Sequence, residues 1–139
     1  MRLEEAVALA ACGGLIMIAA TRLRSLPPWP YDRVRRIAAA IAIAEGYWVP
    51  GSIPNRRNNP GNLTNPRTGQ IRTFASAEEG WRALYRQIER ILSGESPLYP
   101  ANGTIRQIAR IYTATEQDAW ALNVARALGV SPDTKLRDA

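Results

Sequence analysis

Apolar positions recur at helical spacing in four separate stretches of the chain, and a fifth stretch is apolar throughout. The uniform stretch, residues 6–21, is sixteen residues without a charge. As a helix it reaches about 24 Å at ~1.5 Å per residue, against a hydrocarbon core of about 30 Å. Arg2, Arg22 and Arg24 extend its reach by snorkelling to the two interfaces. Residues 1–25 therefore read as a membrane anchor or a signal segment, both of which stay open. Ala19-Ala20 favours cleavage, while Glu4 and Glu5 sit where a signal peptide carries positive charge. Ala6, Ala10 and Gly14, four residues apart, would let a second membrane helix approach closely. Leu26-Pro-Pro-Trp-Pro30 ends any helix and reads as a stiff linker over 26–30.

The periodic stretches follow. Val34, Ile37, Ala38, Ile41 and Ala44 form one stripe and predict a helix over about 31–46. Residues 47–63 are punctuated by Pro50, Gly51, Pro54, Pro60 and Gly61 and read as loop. Residues 64–74 predict a short β-hairpin around Asn65-Pro-Arg-Thr-Gly69. Ser76-Ala-Glu-Glu79 predicts a capping box opening a helix, with Trp81, Leu84, Tyr85, Ile88, Ile91 and Leu92 as its apolar face and Gly94 as its stop. Ile105, Ile108 and Ile111 predict a helix over 104–112. Trp120, Val124 and Leu128 predict another over 116–128, capped by Thr115 and stopped by Gly129. Residues 131–139 read as a polar tail. The expectation is an α+β domain over 31–130, mainly helical with one small hairpin, behind an N-terminal apolar helix.

Composition narrows the chemistry. Seventeen of the eighteen basic residues are Arg, and the net charge is +6. Such a balance suits acidic partners, but no block of five basic residues occurs, so no specific nucleic-acid contact is expected. The chain has no His and one Cys. His-based triads, His-containing metal sites and intrachain disulfides are excluded. Acid–base work must fall to Glu, Asp, Tyr or Lys135.

Glu45 is the one carboxylate between Asp32 and Glu78. It lies four residues after Ile41, on the apolar stripe. Apolar surroundings disfavour the ionised form and raise a carboxyl pKa, and a carboxylic acid that keeps its proton near neutrality can protonate a glycosidic oxygen. The handed-down example of such an acid is the glutamic acid of lysozyme in its apolar pocket. The competing reading is a half-exposed Glu paired with Arg56 or Arg57, which would lower the pKa and spoil the acid role. The direction in which those two arginines point decides between them.

Four segments together resemble a known family. They are Ala44-Glu45-Gly46; Pro50-Gly-Ser52 with Arg57-Asn-Asn-Pro-Gly-Asn-Leu63; Gly69-Gln70 leading to Phe74 and Glu79-Gly-Trp81; and Ile111-Tyr112 with Asn123-Val124 and Leu128-Gly-Val130. In these the chain resembles small lysozyme-like, often phage-borne peptidoglycan lytic transglycosylases. The resemblance implies a lysozyme-like fold, Glu45 as catalytic acid and base, and no cofactor or metal. It also implies a sugar cleft shaped by Asn58, Asn59 and Asn62, with Gln70 and Tyr112 as further cleft residues. The chain departs from the family where Tyr112 is followed by Thr113-Ala-Thr115 in place of a Tyr-Ala-Pro type segment.

A lone acid suits a lytic transglycosylase, which uses the sugar's own hydroxyl where hydrolases normally use two acids and water. A hydrolysing muramidase or glucosaminidase, and a non-catalytic membrane or virion protein that keeps the fold, are the alternatives. Positive charge is denser after the apolar run than before it, which places the domain on the cytoplasmic side, away from the cell wall. A membrane-containing virion that delivers the protein at entry or lysis resolves this. So does export to the periplasm or cell wall behind a cleaved signal.

Overall fold

The structure is a computed structural model that describes residues 30–139. The expected anchor, the small-residue contact at Ala6, Ala10 and Gly14, and most of the linker lie outside the described residues. Five helices follow in order: α1 (Pro30–Ala44), α2 (Ile53–Arg56), α3 (Ala77–Ser93), α4 (Ile105–Tyr112) and α5 (Gln117–Leu128), then a 3-10 turn over Leu136–Asp138. None of these is long and apolar enough to cross a membrane.

The helical stripes become the core. Val34, Ile37, Ala38 and Ile41 of α1 pack with Leu84, Ile88 and Ile91 of α3, Ile105 and Ile108 of α4, and Trp120 and Val124 of α5. Helices α4 and α5 pack directly on each other. Ile111 is exposed, because the buried face of α4 runs through Ile105, Ile108, Ala109 and Tyr112, leaving residue 111 to one side.

Helix α1 ends in a Schellman turn. The N–H of Gly46 reaches the carbonyl of Ile43, that of Tyr47 reaches Ala42, and Gly46 takes a left-handed φ of 76°. Glu45 is the last residue before that reversal.

The caps depart from expectation in places. Ser76 accepts from the Glu79 N–H, but only one half of the expected box forms. A full capping box forms instead at α4, between Thr104 and Gln107. Thr115 does not cap α5; the residue there is Glu116, left-handed and without a side-chain cap bond.

Three loop expectations need correction. Within 47–63, Ser52 caps the single turn α2, whose Pro54 is buried. The hairpin reduces to one antiparallel bridge, Thr64 to Ile71. Pro66 has no N–H to donate, and side chains of the asparagine loop take over the pairing further along. The C-terminal residues are not a free polar tail. Leu136 and Ala139 are buried, Lys135 bridges to Thr104, and the N–H groups of Ile105 and Arg106 reach the carbonyls of Thr134 and Pro132. Those bonds satisfy donors in the first turn of α4 that no helix can satisfy internally.

Candidate active site

The asparagine loop, residues 57–63, is built from the inside out by its own amides. Asn59 is fully buried (0% exposed). Its Nδ2 donates to the carbonyls of Leu63 and Arg72, both at 2.9 Å, and its Oδ1 accepts from the Leu63 N–H at 2.8 Å. Asn58 donates to the Phe74 carbonyl at 3.1 Å. Arg57 donates to the Ile71 carbonyl and to Thr73 Oγ1. Asn58 and Asn62 take left-handed φ values of 51° and 49°, a region asparagine tolerates better than other side chains do.

Two glycines let this loop settle on the helices. A Cβ on Gly80, in the first turn of α3, would lie 1.8 Å from the Asn58 carbonyl oxygen. A Cβ on Gly61 would lie 2.7 Å from Leu84 Cδ1 and 2.8 Å from the Tyr112 hydroxyl. With neither present, the Tyr112 hydroxyl donates to the Gly61 carbonyl at 2.6 Å, tying loop to α4.

Glu45 faces this assembly from the end of α1. It is half-buried, and its pKa is raised, chiefly because burial disfavours the carboxylate. Hydrogen bonds from Trp120 and Asn62 oppose that shift in part. The Trp120 indole Nε1 donates to Glu45 Oε2 at 2.7 Å. The feared arginine pairing is absent. Arg56 donates to the Gly51 carbonyl, Arg57 is spent on residues 71 and 73, and among the described residues no cation pairs with Glu45.

An indole N–H only donates. Oε2 is therefore held as an acceptor. Trp120 is itself fixed, 6% exposed and stacked on Tyr112 with ring centroids 4.8 Å apart. Glu45, Trp120, Tyr112 and the Gly61 carbonyl thus form one connected chain.

A groove of about 500 Å³ adjoins this chain, with Asn62, Tyr99 and Tyr112 in its lining. Burial, with Glu45's charge adding to it, pushes Tyr99 up to about 12 and raises Tyr112 well above the ordinary tyrosine value. Asn62 is the hinge of the site: its amide bonds Glu45 while its Oδ1 is buried without a partner.

The structure thus brings together Glu45, Asn62 and Tyr112 from the residues expected on sequence grounds. It separates the others. Asn59, with every amide atom spent on backbone, has nothing left for a ligand, and Asn58 serves the loop. Gln70 lies exposed in the 65–70 turn, outside the groove lining. Sequence reasoning missed Trp120, 75 residues from Glu45, because its helical spacing marked it only as core. Tyr99 carried no signal at all. Among the described residues no group of three acids or Cys stands ready for a metal ion.

Comparison with protein-family models, curated proteins and solved structures finds no match for this chain. The site must therefore be read from its own chemistry.

Proposed function

We propose that this protein is a peptidoglycan lytic transglycosylase that cleaves the glycan strand between N-acetylmuramic acid and N-acetylglucosamine. The lysozyme-like kinship belongs to this proposal. The observation that carries it is the state of Glu45: half-buried, free of any cationic partner among the described residues, raised in pKa chiefly by burial, and held at Oε2 by Trp120.

The reaction balances without water. The Glu45 carboxyl gives its proton to the glycosidic oxygen as the C1–O bond breaks, and the bonding pair leaves with that oxygen. The cation left at C1 is met by the sugar's own C6 oxygen. Glu45, now ionised, takes the C6 hydroxyl proton as the new C1–O6 bond closes a 1,6-anhydro ring, which returns the acid to its starting state. No second carboxylate perturbs Glu45, which favours this route over two-acid hydrolysis. Asn62 lines the groove with an amide, a group that suits acetamido recognition, and Tyr112 stiffens the wall behind it. Residues 6–21 would hold the enzyme at a membrane, with delivery from a membrane-containing virion one setting and export another.

The test is digestion of purified sacculi followed by mass analysis of the products. Anhydro ends are expected, and reducing ends would convert the reading to hydrolysis. Glu45→Gln keeps an acceptor for Trp120 but cannot donate a proton, so turnover should fall by at least about 10²-fold. Retained activity would end the catalytic assignment. Sacculi bound but never cleaved by the wild type would favour a non-catalytic protein.

A further inference from the structure

We propose that Arg72, Arg86 and Arg90 make the groove selective for a glycan strand that carries carboxylates, and that they bind those carboxylates directly. This rests on the reading of Glu45 above and names what that site selects.

All three arginines line the groove, and no acidic residue does. Arg86 and Arg90 stand four residues apart on α3, one above the other on the same face. Arg72 enters from the segment that Asn59 clamps through the Arg72 carbonyl. Its guanidinium lies 4.5 Å from the Phe74 ring centre, a contact that orients the group and uses none of its N–H donors. The ion pairs present elsewhere are Arg82 with Glu78 and Arg106 with Asp118 and Asp133. Among the described residues none of the three groove arginines has an ion-pair partner.

Arg72, Arg86 and Arg90 are exposed to solvent, and an anion entering the groove meets all three like charges at once. A neutral sugar chain offers only hydroxyls and acetamido groups. A carboxylate offers two oxygens that match the planar guanidinium fork, a stronger and more directional contact. On a muramic-acid strand such groups hang from every second sugar, as the lactyl carboxylate itself or as the carboxylates of a peptide joined to it. Both sources share one recognition chemistry. No arginine is among the causes of the Glu45 shift, which burial dominates, so substrate selection and acid catalysis do not conflict.

Binding of the full chain carrying Glu45→Gln separates the possibilities. Its retention is measured on peptide-bearing sacculi, on strands stripped of peptide by an amidase, and on chitin, at low and high salt. The expected order places both muramic-acid materials above chitin, with the advantage reduced by salt. Tighter binding to sacculi than to stripped strands assigns the anion to the peptide; tighter binding to the stripped strands, where the amidase frees the lactyl carboxylate from its amide bond, assigns it to the lactyl group. Arg86→Gln with Arg90→Gln should weaken muramic-acid binding by about tenfold while leaving chitin unchanged. Equal retention on chitin and sacculi, or a double variant that still discriminates, overturns the assignment. So does duplex DNA that competes as well as the anionic strands. If sacculi are cleaved by the wild type but discrimination is absent, the arginine assignment alone falls. If no products form, the reading of Glu45 falls, and the binding order still judges the arginines.

Discussion

The helical core and the asparagine loop are both buried structures, yet opposite means hold them. In the core, Ile37, Ile41, Ile88, Ile105 and Ile108 are shielded from water by one another, and no single partner is indispensable. In the loop, Asn59 is as deeply buried, but each of its amide atoms has a specific backbone partner. Apolar packing is non-directional and degrades gradually, whereas a buried amide that loses a partner bears the full desolvation penalty. The contrast teaches where the site's precision originates. The core positions Glu45 at the end of a helix. The loop, which has little apolar surface of its own, brings Asn62 and Gly61 to it through hydrogen bonds and two missing Cβ atoms.

Four changes would sharpen or break that contrast. The largest effect is expected from Gly80→Ala. Its methyl group meets backbone, which cannot rotate away, so the loop must lift from α3. A loss of about 3 kcal/mol or more in urea denaturation is expected, with glycan cleavage lost as well. Asn59→Ala leaves the Leu63 N–H and the Arg72 carbonyl without their partner and removes one of two donors to the Leu63 carbonyl, and should cost about 2–3 kcal/mol. Ile88→Val, equally buried, should cost only about 1 kcal/mol. Equal losses for these two variants would erase the distinction between the regions. Asn62→Gly keeps the left-handed backbone and removes both an oxygen that pairs with nothing and the amide that bonds Glu45. Stability should change by only about 0.5 kcal/mol, while KM for the glycan rises. A large loss of stability there would make Asn62 another structural clamp.

The pH dependence of Glu45 probes the same junction. Its folded-state pKa lies above its unfolded value. The stability linked to it is fully present below the unfolded pKa and declines as pH rises through the folded one. Glu45→Gln should abolish that decline in melting temperature across the window between the two values. The acid step follows the protonated form. In the wild type, kcat/KM should therefore fall on an alkaline limb placed above the ordinary carboxylate range. A limb at the ordinary Glu value would mean that burial does not control the proton.

The helices were legible because each writes its own period. Val34–Ile37–Ile41 and Leu84–Ile88–Ile91 could face only inward, and Gly94 and Gly129 stop their helices with φ of 81° and 72°. The loop was legible as loop but not as construction. Nothing in Asn58-Asn-Pro-Gly-Asn62 tells which amide turns inward, since all three asparagines offer the same donors and acceptors. The C-terminal residues were misread for a related reason. One buried Leu136 among polar neighbours has no period to betray it, and its partners lie on the N-terminal turn of α4.

Local pattern and composition determined that this protein is mainly helical over the described residues. They also determined that any acid–base chemistry of these residues proceeds without His, and that Glu45 is the acid to examine. Those properties depend on residue type and on spacing within a few turns. Only the tertiary structure decided that Arg56 and Arg57 turn away from Glu45, that Trp120 holds one of its oxygens, and that Asn62 meets it while Asn59 does not. Each of these rests on a contact between distant segments. A proton's affinity is set by everything within a few ångströms of it, and folding alone determines what those neighbours are.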